Sequence, residues 1–235
     1  DPVYKAYTKN LCGYAERGEK EWKRLLGSFF AEGVNIAVVK NDEGQIEGYA
    51  VYRLGAPEIP VTEFVYTTRR AQRGLLNYFY NHRSQGESIR WNEGLHDTGY
   101  RFVPDGKTGH TTMPYMMARI VDVETALTTV PVNPEAVMMP ITLHIKVTDS
   151  LCDWNNGVFA LTLGESTLPI IKRVSDESVA EIDITVDIGG LAALLMGAVS
   201  AKDLVFEGKL EGESHWIDYL DMVYPKQNTY INEWW

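Results

Sequence analysis

The chain has 235 residues, 45% of them apolar, and a formal net charge of −10. That apolar content supplies one large core or two ordinary ones, and no apolar run approaches the roughly 18 residues of a membrane span. The first ten residues, DPVYKAYTKN, contain no hydrophobic signal region, so the expected location is cytoplasmic, and the start at Asp1 rather than Met suggests a piece of something longer.

Val3 to Tyr7 and Glu19 to Leu26 read as two short helices separated at Cys12-Gly13. In the second, Trp22, Leu25 and Leu26 form an apolar face, and Glu19, Lys20, Lys23 and Arg24 face solvent. Two β-rich runs, Val34 to Val39 and Gln45 to Leu54, flank the turn residues Asn41-Asp42-Glu43-Gly44 and predict a β-hairpin. The stretch from Val61 to His82 reads as a strand feeding directly into an amphipathic helix on which Ala71, Leu75, Phe79 and His82 recur at helical spacing. Such a junction aims helix N–H groups and a positive dipole at the strand's end, a place suited to phosphate. Ser88 to Trp91 predicts a further strand, and the Gly-, Asp- and Pro-rich span from Asn92 to Pro114 a long loop.

Met116 to Asp122 reads as a strand and Val123 to Thr128 as a helix with Asp122 as N-cap. Charge balance shifts at this point. Residues 1–119 carry 16 Lys/Arg against 14 Asp/Glu, and residues 120–235 carry 6 against 18, so a domain boundary is expected near residue 120. The acidic second half disfavours nucleic acid and anionic membrane as partners and favours cationic ligands. Beyond Pro131 and Pro134, the runs Ile141 to Val147, Val158 to Leu163, Leu168 to Val174 and Val179 to Val186 predict an antiparallel meander of at least four strands. Asp187 to Met196 predicts a helix, Leu204 to Gly208 a short strand, and Ser214 to Met222 a helix before the aromatic tail Tyr230-Ile-Asn-Glu-Trp-Trp235.

Several clusters invite chemical readings. Cys12 and Cys152 lack metal-ligand spacing; a pair of reduced, partly buried thiols is favoured over a disulfide. His215, Asp218 and Asp221 share a helix face, which reads as solvated rather than as a metal site, since no further His or Cys completes a shell. His96-Asp97 and His110 in the long loop offer residues for base chemistry, but without a nucleophile motif nearby they read as ordinary loop histidines. Arg69, Arg70 and Arg73 offer an anion site but read by default as a basic first turn with carboxylate partners, and Leu191 to Met196 reads as ordinary core ahead of the wall of a lipid-sized cavity.

Tyr4, Gly13, Arg17 and Trp22 stand at the spacing of a Tyr…Gly…Arg…Trp pattern. GYAVYR at Gly48 to Arg53, the strand and helix at 61–82 and MMARIVDVETAL at Met116 to Leu127 follow in order. This series resembles the Eis-like (enhanced intracellular survival) acetyltransferases of the GCN5-related N-acetyltransferase superfamily, over essentially the whole chain. The resemblance implies a three-part subunit: a catalytic acetyltransferase domain, a second domain of that fold that has lost acetyl-CoA binding, and a sterol-carrier-like domain. This chain corresponds to the second and third parts. The implied fold class is α+β, with a degenerate acetyltransferase fold over 1–120 and a sterol-carrier-like domain over 121–235.

In active members of the superfamily the strand-to-helix turn reads Arg/Gln-x-x-Gly-x-Gly/Ala, whereas here it is Thr67-Thr-Arg-Arg-Ala-Gln-Arg-Gly74, with side chains where close backbone approach needs glycine. Acetyl-CoA is accordingly expected as co-substrate of the full-length enzyme and not as a ligand of this chain alone, which should be inactive in isolation. The resemblance further implies that the terminal carboxylate, that of Trp235 if this is the natural end, serves as general base on the acceptor amine. Trp234 and Glu233 would line the acceptor pocket, although Trp234 departs from the acidic residue expected at its position. The implied partners are the chain's own N-terminal acetyltransferase domain, an amine acceptor (a small polycationic molecule or a lysine) and further copies in a homo-hexamer. The alternative is a non-catalytic lipid-binding or assembly scaffold.

Overall fold

The structure is a computed structural model and describes residues 2–31, 33–55, 57–97, 99–102, 108–113, 116–164, 166, 168–175 and 179–233. It forms two compact units. One runs to Thr112 and takes up the segment from Thr229 onward; the other spans Met113 to Asn228. The expected division at 120 assigned that last segment to the second domain, so the observed path differs in returning to the first unit. Among the described residues no helix is long and apolar enough to cross a membrane.

In the first unit, helices α1 (Pro2–Thr8) and α2 (Glu19–Ala31) precede strands β1 (Asn35–Lys40), β2 (Ile46–Tyr52) and β3 (Glu58–Tyr66). Helix α3 (Arg69–Asn81) and strand β4 (Ser88–Trp91) follow. The sheet order is β1-β2-β3-β4, antiparallel except for β4, which pairs parallel to β3 because α3 carries the chain back between them. The predicted hairpin is β1 and β2, and the predicted strand-helix junction is β3 and α3. Both faces of the sheet are covered, which is why β3 is buried at both of its alternating sets. Phe64 and Val61 pack with Leu75 and Phe79 of α3, while Val65 lies with Val3, Tyr49 and Val51 on the side that Tyr7, Trp22 and Phe29 close. Gly48 is needed for the close approach of α3, since a Cβ there would stand 2.9 Å from the Val65 carbonyl and 3.0 Å from the Ala71 Cβ.

The second unit holds α4 (Val123–Thr129), β5 (Ile141–Thr148), β6 (Gly157–Leu163), β7 (Ile170–Val174), β8 (Ile184–Asp187), α5 (Ile188–Leu195), α6 (Ala201–Phe206), β9 (Leu210–Gly212) and α7 (Ser214–Val223). The sheet order is β7-β6-β5-β8-β9. The expected meander holds for β5, β6 and β7, but β8 crosses to the far side of β5 and pairs with it in parallel. Burial explains the crossing: Ile184 and Val186 are 1% and 2% exposed, a level that needs a central position, whereas Ile170 on the β7 edge is 70% exposed. Leu143, Ile145, Leu161, Leu191, Leu194 and Leu204 meet in one apolar core, so α5 is core as the sequence indicated.

Two predicted strands are not strands. Residues 204–208 belong to the end of α6 and the turn after it. Ser200 and Asp203 form a complete capping box that starts a helix, and these local hydrogen bonds outweigh the β-leaning Leu204-Val205-Phe206. Residues 116–122 pair in no ladder; Met117 is 98% exposed. They are held instead by side chains: Trp154 Nε1 and Asn155 Nδ2 donate to the Val121 carbonyl, and Arg119 Nη2 donates to Asp149 at 2.7 and 2.8 Å.

Asp149 is the polar hub of that corner. Its carboxylate also accepts from Asn155 Nδ2 and from the backbone N–H groups of Leu151 and Cys152, and these donors, with Asn155 first, hold its pKa far below the usual carboxylate range. Because the folded-state pKa is depressed, the stabilisation is complete above the unfolded value of about 4 and drains as pH falls toward the folded value. Asp149→Asn should therefore lower the melting temperature of the second unit at pH 7. The gap from the native protein should narrow between about pH 4 and pH 2, as read by thermal unfolding across pH; a gap independent of pH would contradict the assignment.

Candidate functional site

The β3–α3 junction is closed by its own side chains. Thr68 is the N-cap of α3, its hydroxyl accepting from Ala71 N at 3.1 Å and donating to Glu47 Oε2 at 3.1 Å. The same carboxylate oxygen accepts from Arg70 Nη2 at 3.0 Å and Nε at 3.2 Å, and Thr67 N donates to the Glu47 carbonyl. Thus the carboxylate partner expected for the basic turn is Glu47, with Asp42 3.7 Å from Arg70 Nη1. Gly74, the one glycine that the turn retains, lies against Val39, whose side chain would be 3.2 Å from an added Cβ. It serves helix-on-sheet packing. This helix start carries a capping hydroxyl, a carboxylate and five consecutive residues with side chains, Arg69 to Arg73, whereas a pyrophosphate site uses bare N–H groups and a close backbone.

A second constellation lies on the other face of the sheet. Arg17 Nε donates to Glu233 Oε1 at 2.6 Å, and Nη1 donates to Glu63 Oε2 at 3.2 Å. Nη2 stands 2.8 Å from Glu63 Oε1 in an ionic contact without hydrogen-bond alignment. The side chains of Arg17, Glu63 and Glu233 are 3%, 4% and 11% exposed. Tyr49 Oη donates to Glu63 Oε2 at 2.7 Å, and the guanidinium lies over the rings of Tyr4 (4.2 Å) and Trp22 (4.9 Å). Burial pushes the Tyr4 hydroxyl up to about 12, Arg17 only partly opposing it.

The segment 229–233 is fixed at further points. Cys12 and Thr229 form a parallel bridge, Tyr230 N donates to the Cys12 carbonyl at 2.9 Å, and Asn232 Nδ2 donates to the Thr62 carbonyl at 2.7 Å. The Tyr230 ring meets the edge of Tyr7 at 5.5 Å. Glu233, expected to line an acceptor pocket, is thus placed in a buried ion pair. Trp234 and Trp235 lie outside the described residues.

The loop histidines have different neighbours, the His96 ring lying 6.0 Å from that of Tyr7. Asp97 is committed to Tyr66 Oη and Gly99 N, with Gln72 Nε2 donating to the same Tyr66 oxygen, and burial lowers the His96 pKa. His110 faces Glu93 at 3.6 Å, and Glu93, raised by burial, also accepts from Trp91 Nε1. His215, Asp218 and Asp221 diverge to Glu213, Lys202 and the Ala201 N–H respectively. Cys12 and Cys152 are both partly buried and are not disulfide-bonded to each other. The Arg17–Glu63 pair was marked in the sequence only by a charged residue inside the apolar run of β3, which by itself demands a buried partner but does not say which.

Residues 13–120 match the acetyltransferase (GNAT) domain family and residues 123–232 the sterol carrier protein domain family. No curated protein is significantly similar to the chain. Among solved structures, a probable N-acyltransferase from Enterococcus faecalis superposes over 100% of this chain and 58% of its own, at 24% identity and a TM-score of 0.84. A GCN5-related N-acetyltransferase from Anabaena variabilis covers 100% and 60% at 18% identity and a TM-score of 0.74. Eis1 from Mycobacterium abscessus covers 100% and 60% at 19% identity and a TM-score of 0.67. The chain therefore spans about 58–60% of the length of these structures, and at such identities the likeness is one of fold. The chain is an acetyltransferase-type (GNAT) domain followed by a sterol carrier protein domain.

Proposed function

We propose that this chain is the part of an acyl-CoA-dependent N-acetyltransferase that does not hold the coenzyme, and that a further acetyltransferase domain of the same protein does. One observation carries this reading: in a domain of acetyltransferase type, the helix start suited to a pyrophosphate is occupied by the Thr68 cap and the Glu47 carboxylate. The reach of each solved relative well beyond the matched part supports it.

The acceptor is an amine, a small polycationic molecule or a lysine, in keeping with the excess of Asp and Glu over residues 120–235. What this chain contributes is the tail, which Arg17 holds through Glu233 and the Thr62 carbonyl through Asn232. With Trp235 as the natural terminus, its carboxylate takes the proton from the acceptor amine as general base and Trp234 stands beside the acceptor. A free terminal carboxylate has a pKa of about 3.5, so the role requires burial or a water relay that raises its basicity. The full protein is proposed to be a cytoplasmic homo-oligomer, hexameric by its likeness to the Eis-like enzymes, which light scattering measures directly.

Acetyl-CoA titrated calorimetrically into this chain alone should give no heat of binding at micromolar concentrations. The chain alone should likewise show no acetyl transfer to polyamine or lysine substrates; micromolar binding or turnover would overturn the division of labour. In the full-length enzyme, extending the protein past Trp235 by a few residues should lower kcat by about 100-fold, the scale of a lost general base. Unchanged kcat would remove the carboxylate from the mechanism.

A further inference from the structure

The β2–β3 ladder slips by one residue: Val51 pairs with Glu63 and Tyr52 with Val61, leaving Thr62 as the extra residue of a bulge. The β3–β4 pairing also ends here, at Val61 and Trp91, and the strands enclose a cleft of about 240 Å³ lined by Pro60, Val61, Thr62, Arg90 and Asn92. A bulged residue at the end of a parallel pair exposes main-chain polar groups that no ladder satisfies, and these must find partners elsewhere. The partner of the Thr62 carbonyl is the Asn232 side chain.

We infer that the first unit is a peptide-binding module whose ligand is the chain's own segment 229–233. Three unlike contacts read that segment. The Cys12 carbonyl and the bridge to Thr229 read its main chain, the Thr62 carbonyl reads an amide side chain, and Arg17 reads a carboxylate. Tyr230 adds an aromatic anchor, buried against Tyr7 and within 3.2 Å of where a side chain on Gly94 would begin. The recognised pattern is thus Tyr-x-Asn-Glu in an extended peptide.

The Arg17–Glu63 pair is charge-balanced without the ligand's carboxylate. Arg17 and Glu63 alone are a one-to-one pair, also held by Tyr49 and by the Tyr4 and Trp22 rings, so losing Glu233 leaves a neutral buried pair. Losing Arg17 would instead strand buried carboxylate. Occupancy by the attached tail is favoured by its high effective concentration, so a free peptide competes only once the tail is weakened. The inference does not depend on acetyl transfer, since it concerns binding by this chain alone.

The test uses the full chain and a fluorescein-labelled peptide with the sequence of residues 229–235. Native protein should bind the peptide at least about 10-fold more weakly than protein carrying Asn232→Ala and Glu233→Gln, because the native tail competes. A peptide carrying the same two changes should bind neither. In parallel, hydrogen exchange should show the amides of residues 230–233 protected in the native protein and fast in the double variant, while strands β1 to β3 stay protected in both. Equal peptide affinity for native and variant protein, no peptide binding by a variant whose sheet remains protected, or an unchanged tail in that variant would each overturn the inference.

Discussion

Arg17 is the cation on which the first unit depends. Its guanidinium neutralises Glu63, a carboxylate that β3 carries into an apolar layer beside Tyr49 and Val65, and an ion left there alone would cost several kcal/mol. Because Arg17 sits in the connection between α1 and α2, the ion pair fixes that connection to the centre of the sheet. The Tyr4 and Trp22 rings, one from each helix, flank it. A third group, Glu233, joins the pair and ties in the last described part of the chain. Helices, sheet and tail converge on one buried charge, so its geometry decides where each of them runs.

At the opposite face, the β3–α3 junction has its helix start filled by the protein's own side chains. The order of strands, the parallel β4 and the helix start after β3 are all in place. The N–H groups at the start of α3, which elsewhere could receive an anion, meet a threonine hydroxyl, and a carboxylate from β2 stands beside them. Gly74 persists for a different reason, its contact with Val39. A glycine at a motif position thus reports the distance between a helix and a sheet as readily as it reports a ligand.

Much of the architecture was legible in the sequence because periodicity and turn chemistry agree locally. The hairpin around Asn41 to Gly44, the β3–α3 junction and the Asp122-capped α4 follow from neighbours in sequence. The misread stretches are those where composition and context conflict. Met116, Met117 and Val121 look like strand but remain on the surface, and Leu204-Val205-Phe206 leans toward β while Ser200 and Asp203 start a helix. The parallel placement of β8 depends on which strand needs burial on both sides, a property of the finished sheet. As for the candidate site, the altered turn at Thr67 to Gly74 was readable residue by residue. The pairing of Arg17 with Glu63 and Glu233 was not, because a charge inside β3 demands a partner but does not name residues 46 and 216 positions apart.

That separation has a kinetic side. The segment that completes the first unit follows the whole of the second, so during synthesis residues 2–112 must hold their sheet and helices α1 to α3 before that segment exists. Contacts so distant in sequence form late, after loop closure over the intervening chain. The neutral Arg17–Glu63 pair lets the nascent unit wait, and the arrival of Tyr230 to Glu233 then serves as the final docking step, made only after the second unit has been synthesised.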